Sequence, residues 1–198
     1  PATAATSEAE KSVEAGAAEK PGSGPAAAQG MGSLIVEAPP LVQFQLDHGR
    51  WQTASKRAIA LPAGPHELAA LSGVQQLELA DKQTLTVKLP ESPIEKLTSG
   101  GLEAYDKKDL RKAQKLFEKA SSLCSRERKH PQPCSDLSIE INYHLGQIHE
   151  AGERFADAVT AYQKVVQGAA TTRPLQERRA AAQSAMARLL PSLGQLVI

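Results

Sequence analysis

GLEAYDKKDLRKAQKLFEKA, residues 101–120, and GQIHEAGERFADAVTAYQKV, residues 146–165, are one pattern written twice. With one laid on the other, Gly101 falls on Gly146, Leu110 on Phe155, Ala113 on Ala158, Phe117 on Tyr162 and Ala120 on Val165. In the second half of each copy the apolar positions recur three and four apart, the spacing of one helix face. A polar turn, DKKD at residues 106–109 in the first copy, splits the copy into two helices. A small residue on each helix lets the two backbones approach, and the aromatic fills the space toward the next repeat. The sequence therefore predicts stacked helix pairs over its second half.

Working outward, SPIE at residues 92–95 is a helix start, with Ser92 as N-cap, Pro93 at the first helical position and Glu95 completing a capping box. That helix is expected to run to about Tyr105, and Asp109 caps the next. TTRPLQERRAAAQSAMARLL, residues 171–190, predicts a further helix from about Pro174 to Leu190, stopped by Pro191. It suits the lone helix that closes an array of repeats. The apolar tail after it, SLGQLVI at 192–198, is expected to pack back onto the array or to serve as an interaction segment.

The doubled pattern resembles the tetratricopeptide repeat, a 34-residue helix-turn-helix unit. It departs from that pattern at Gly100, where a larger residue is usual, and at His149, where an aromatic is usual. Gly101 and Gly146 stand 45 residues apart, eleven more than the repeat length. The excess is expected as an extended loop between the repeats, an insertion placed at 128–138 around CSRERKHPQPC, residues 124–134. The resemblance also implies a concave, peptide-binding face made by the first helix of each repeat. By position it comprises Glu95, Thr98, Leu102 and Tyr105 in the first repeat. In the second it comprises Glu140, Tyr143, Gln147 and Glu150. The glutamates suggest a basic or neutral apolar segment of a partner.

The first half differs in kind. Residues 1–33 are rich in Ala, Gly and Pro, hold no aromatic residue, and read as a flexible linker. Residues 34–91 alternate apolar with polar: Val42, Phe44 and Leu46 share one face, and DHG at 47–49 turns the chain toward RWQTA. QQLELADKQTLTVKLP, residues 75–90, reads as a hairpin about ADKQ. About six short strands predict a small β-sandwich or barrel. GSLIVEAPPLVQFQLDHGRW at 32–51, ALPAGPHEL at 60–68 and QTLTVKL at 83–89 resemble a PEGA-type domain, a β-module of bacterial envelope proteins, although Pro40, Leu41 and Val42 replace its naming Glu-Gly-Ala. The expected fold is thus multi-domain α and β: a small all-β sandwich or barrel over 34–91, then an α-helical array over 92–198 with two repeats and a capping helix.

The only two cysteines, Cys124 and Cys134, bound the insertion. A disulfide between them explains their places at its margins and points to an oxidising compartment. Two free thiols, or a metal site with His130, are the other readings; the spacing fits no structural zinc pattern. His144 and His149 lie five apart on a helix and diverge, so they share no metal, whereas Glu140 and His144 can pair four apart. The sequence has no nucleophile elbow, phosphate loop, zinc-protease motif or dinucleotide fingerprint, which argues against an enzyme, and neither cofactor nor metal is expected. Net charge divides as −2 over 1–33, −1 over 34–93 and +4 over 94–198, too mild a basic excess for nucleic-acid binding. No apolar run is long enough to span a membrane. The expected function is a non-enzymatic scaffold in the periplasm or otherwise outside the bacterial cytoplasm, binding a protein or peptide segment of an envelope complex and tethered to a longer protein. The alternative is an extracytoplasmic sensory or regulatory domain of a membrane protein such as a Ser/Thr receptor kinase.

Overall fold

Period-two alternation becomes a two-layer sheet structure in the computed structural model, which describes residues 30–55 and 57–194. Strands β1 (Met31–Glu37), β4 (Ile59–Pro62) and β7 (Thr84–Lys88) form one sheet in the order β4-β1-β7. Strands β2 (Gln43–Leu46), β3 (Gln52–Thr53), β5 (Gly64–Ala70) and β6 (Gly73–Leu79) form the other, in the order β3-β2-β5-β6. Leu34 and Val36 of β1, Phe44 of β2 and Leu68 of β5 are buried in the core between the two layers, together with Val42 and Leu89. Val42 and Phe44 thus share the buried face that their alternation predicts, and Leu46 packs at its margin. β1 begins three residues inside the stretch read as linker; the rest of that linker, residues 1–29, lies outside the described residues.

The expected hairpin at ADKQ is corrected. β6 pairs with β5, whereas β7 crosses to the other sheet and runs parallel to β1, Leu34 beside Leu85 and Val36 beside Val87. The reason is burial. β6 is exposed along most of its length and offers little apolar face, while β1 carries Leu34 and Val36 into the core. Alternation marks which residues face inward, not which strand lies alongside.

The β2–β3 turn holds an ionic lock. Asp47 and His48 sit at φ of 47° and 56°, the left-handed backbone of a type I′ hairpin turn, closed by the Gly49 N–H donating to the Leu46 carbonyl at 2.8 Å. Asp47 Oδ1 accepts the Glu67 N–H at 2.8 Å, and Oδ2 lies 2.7 Å from Nδ1 of the buried His66. The other His66 nitrogen, Nε2, donates to the Pro62 carbonyl at 2.8 Å. With both ring nitrogens facing acceptors, the Pro62 carbonyl first and Asp47 next raise the His66 pKa against the pull of burial. Burial works to raise Asp47, but the Glu67 N–H and the His66 ring outweigh it and hold the carboxyl low. A histidine raised in the folded state stabilises most below its unfolded pKa of about 6.5, and that contribution is lost as pH rises through the folded value. The melting temperature of the β part is therefore expected to fall between weakly acidic and weakly alkaline pH. His66→Gln is expected to flatten that profile; an unchanged slope in the variant would assign it to other groups.

Five helices follow: α1 (Pro93–Asp106), α2 (Leu110–Cys124), α3 (Pro131–Ala151), α4 (Phe155–Gln167) and α5 (Arg173–Gly194). α1 begins as expected, with Glu95 N–H donating to Ser92 Oγ and Ser92 N–H donating to Glu95 Oε2 at 2.7 Å. Asp109 caps α2 by accepting the Lys112 N–H at 3.1 Å. The two helix pairs α1–α2 and α3–α4 repeat one contact: a Cβ built on Gly101 would lie 2.5 Å from the Phe117 ring, and one on Gly146 2.4 Å from the Tyr162 ring. Each aromatic therefore fills the space over the glycine of its own pair, and Phe117 also stacks on His144 of the next pair, as expected. Ala113, Phe117 and Ala120 on α2 and Ala158, Tyr162 and Val165 on α4 are buried at matching positions.

Two further expectations are corrected. The insertion is not an extended loop: only residues 125–130 connect α2 to α3, and the remainder lengthens α3 to 21 residues. Pro131 and Pro133 both fall in the first helical turn, where a missing N–H costs no helical hydrogen bond. Likewise Pro191 does not stop α5, which continues to Gly194. Of the apolar tail, residues 195–198 lie outside the described residues.

Leu41 and Leu71, from loops of the β part, pack against the core shared by α1, α2 and α3, so the sheets dock on the helices.

Candidate functional site

α1, α3 and α5 touch one another in sequence order, α3 lying between the other two. Of the eight positions expected on their common face, six are half-buried and two are not available at all. Glu95 and Thr98 are fully buried, because the Glu95 carboxylate folds back onto the helix start and the Thr98 hydroxyl donates to the Ile94 carbonyl at 2.9 Å. Burial raises the Glu95 pKa, opposed by the Ser92 N–H.

The other six gather around Tyr105 and Tyr143. His144, itself buried, meets both rings edge-on, at 4.8 Å from Tyr105 and 5.6 Å from Tyr143, and stacks on Phe117 behind them. Leu102 packs beside Tyr105 against the core of the first helix pair. Gln147 Nε2 donates to the Tyr143 hydroxyl at 3.4 Å, and Glu150 Oε2 accepts from the Tyr162 hydroxyl at 3.1 Å. Burial first and Glu150 next push the Tyr162 hydroxyl pKa well up, so it stays protonated and a donor at neutral pH.

The glutamates are not free. Arg178 of α5 reaches Glu140 with Nε and Nη2, both at 3.2 Å, and lays its guanidinium over the Tyr143 ring at 4.8 Å. Glu140 also bonds His144 Nε2 at 3.0 Å. Burial works to raise Glu140, but these two partners outweigh it and hold the carboxyl below its ordinary value. Arg188 pairs with Glu150 at 2.6 Å. Sequence reading missed both arginines. A signal was present: Glu140 and Glu150 are ten apart on one helix, and Arg178 and Arg188 ten apart on another, the match two parallel helices need. The acidic charge of Glu140 and Glu150 is therefore already paired within the protein. Between α3 and α5 the face opens into a groove of about 780 Å³ walled by Tyr143, Gln147, Ala181, Ala185 and the Glu150–Arg188 pair.

Cys124 and Cys134 are both buried and stand as free thiols; the expected bridge is not formed. The Cys124 thiol faces the Cys134 carbonyl at 3.6 Å, and its pKa is pushed up by contact with the Cys134 sulfur and by burial. His130 does not join them but packs edge-on against Trp51 at 5.6 Å.

A second concavity lies where β3 meets the starts of α3 and α5. At its base is Asp136, 5% exposed, which accepts from Gln43 of β2, Gln132 of α3 and Thr171 before α5. No family model, no curated protein and no solved structure matches the chain, so both family resemblances rest on the residues quoted above.

Proposed function

We propose that this chain is a non-enzymatic scaffold of the bacterial envelope, working outside the cytoplasm and taking a protein partner on the face built by α1, α3 and α5. The observation that carries this reading is the pairing of Tyr105 and Tyr143 on that face, held from behind by His144 and continued by the groove between α3 and α5. Half-buried tyrosines with fixed rings give wide contact at low entropic cost, and such residues dominate interface energies. The repeated contact of Gly101 with Phe117 and of Gly146 with Tyr162 supports a helical array of the tetratricopeptide type. The two-layer β part at its start supports an accessory module of the PEGA type. A neutral, apolar segment suits the groove, since its ion pairs are satisfied internally.

The test is binding of peptides to the whole chain, comparing neutral apolar, acidic and basic sequences. Tyr105→Ala with Tyr143→Ala is expected to weaken the apolar binders at least about tenfold. Equal affinity in the double variant would remove this face as the docking surface.

A further inference from the structure

We propose that the cavity between β3 and the first turns of α3 and α5 binds a neutral, polyhydroxylated ligand of the saccharide class. The cavity has a volume of about 420 Å³, within the range of small-molecule sites. Its chemistry is set by Asp136. A carboxylate only accepts hydrogen bonds, so Gln43 and Gln132 each turn Nε2 toward it, at 3.1 and 3.3 Å, and Thr171 gives it the hydroxyl proton at 3.0 Å. The amide oxygens of Gln43 and Gln132 are thereby turned away from Asp136 and meet no donor among the described residues. The lining thus offers acceptors from these amides and donors from Arg50.

That lining selects by chemistry. Phosphates and carboxylates offer acceptors only: they can answer Arg50, which also lines the cavity, but leave Asp136 and the amide oxygens without a donor. A metal ion finds a single carboxylate, Asp136, which already accepts from three neutral donors, and Arg50 as a competing cation in the same lining. An apolar side chain of a peptide finds a single aromatic residue there, Trp51. Hydroxyl groups both donate and accept, so they match this lining, and the exposed Gln52 and Thr53 of β3 face them with further amide and hydroxyl groups. The Trp51 indole, fixed by its edge contact with His130, adds a flat apolar surface for the C–H face of a sugar ring.

Trp51 is the only tryptophan of the chain, so its emission reports on this cavity in the whole protein. Glucose, N-acetylglucosamine, cellotriose and chitotriose would be titrated in turn. The expected result is a saturable change in Trp51 emission with at least one of them. Gln52→Ala with Thr53→Ala, both exposed and outside the Asp136 network, is expected to weaken it about tenfold or more at unchanged melting temperature. Saturation by a monosaccharide assigns a free sugar; saturation by a trisaccharide alone assigns the end of a glycan chain. Flat emission with all four sugars overturns the proposal, as does binding that the double variant leaves unmoved. A peptide that saturates the signal while the sugars stay silent also overturns it. Tyr105→Ala with Tyr143→Ala is expected to leave sugar binding intact, so the failure of either site is read separately.

Discussion

Gly101→Ala and Gly146→Ala are each expected to destabilise the helical part by about 2 kcal/mol, although alanine is the better helix former. Two effects of opposite sign compete. Removing a glycine from a helix interior gains about 1 kcal/mol. The added Cβ, however, would sit 2.5 Å from the Phe117 ring at Gly101 and 2.4 Å from the Tyr162 ring at Gly146, far inside contact distance. Both rings are fully buried, and overpacking of that kind costs about 3 kcal/mol. The clash wins. Gly100 supplies the control from the same helix, because a Cβ there meets only the Leu116 Cδ1 at 3.5 Å, an ordinary contact. Gly100→Ala is therefore expected to stabilise by up to about 1 kcal/mol. Urea unfolding of the three variants decides the matter: neighbouring glycines must give opposite signs. A Gly101→Ala protein as stable as Gly100→Ala would mean that the helices part easily and the ring contact is not what sets their distance. Shortening the ring, as in Tyr162→Leu, is expected to recover part of the loss in a Gly146→Ala background.

The residues of that contact were legible in the sequence because they are local, although the place of each ring over its own glycine was not. Glycine and aromatic lie sixteen residues apart in both copies, within one helix pair, and a doubled pattern exposes them. The start of α1 was legible for the same reason, since Ser92, Pro93 and Glu95 act within one turn. Glu95 shows the limit of such reading. Repeat position put it on the binding face, but a residue whose carboxylate serves the helix start cannot also point at a partner. The partner of β7 was not legible, because alternation in Thr84–Lys88 specifies a face and leaves the neighbouring strand open. The Arg178–Glu140 pair spans 38 residues and depends on how α5 lies along α3, which no local spacing states. The Asp136 network is less legible still. It joins Gln43, Gln132 and Thr171 from three separate segments, and exists only once the sheets have docked on the helices.

Refolding the reduced chain in a glutathione redox buffer is expected to join Cys124 to Cys134 and to stabilise the helical part by about 3 kcal/mol. The cysteines are placed for it. Cys124 is the last residue of α2, Cys134 lies in the first turn of α3, and the Cys124 thiol points at the Cys134 backbone at 3.6 Å. The bond would close an eleven-residue loop, and its formation passes two protons and two electrons to oxidised glutathione, which leaves as two thiols. Timing matters, because exchange needs a thiolate. The Cys134 sulfur and burial push the Cys124 pKa up, while the same contact lowers Cys134. Both are buried, however, so glutathione reaches neither in the folded protein and the bond is expected to form as the chain refolds. Intact mass after alkylation in denaturant separates the outcomes. A chain that has lost two hydrogens, takes no label and melts higher than its Cys134→Ser variant carries the bridge. The extracytoplasmic proposal then gains independent support, since such bonds persist in oxidising compartments. Two labels after refolding would mean that the pair is simply packed sulfur in the α2–α3 core. The envelope proposal would then rest on the β-module alone.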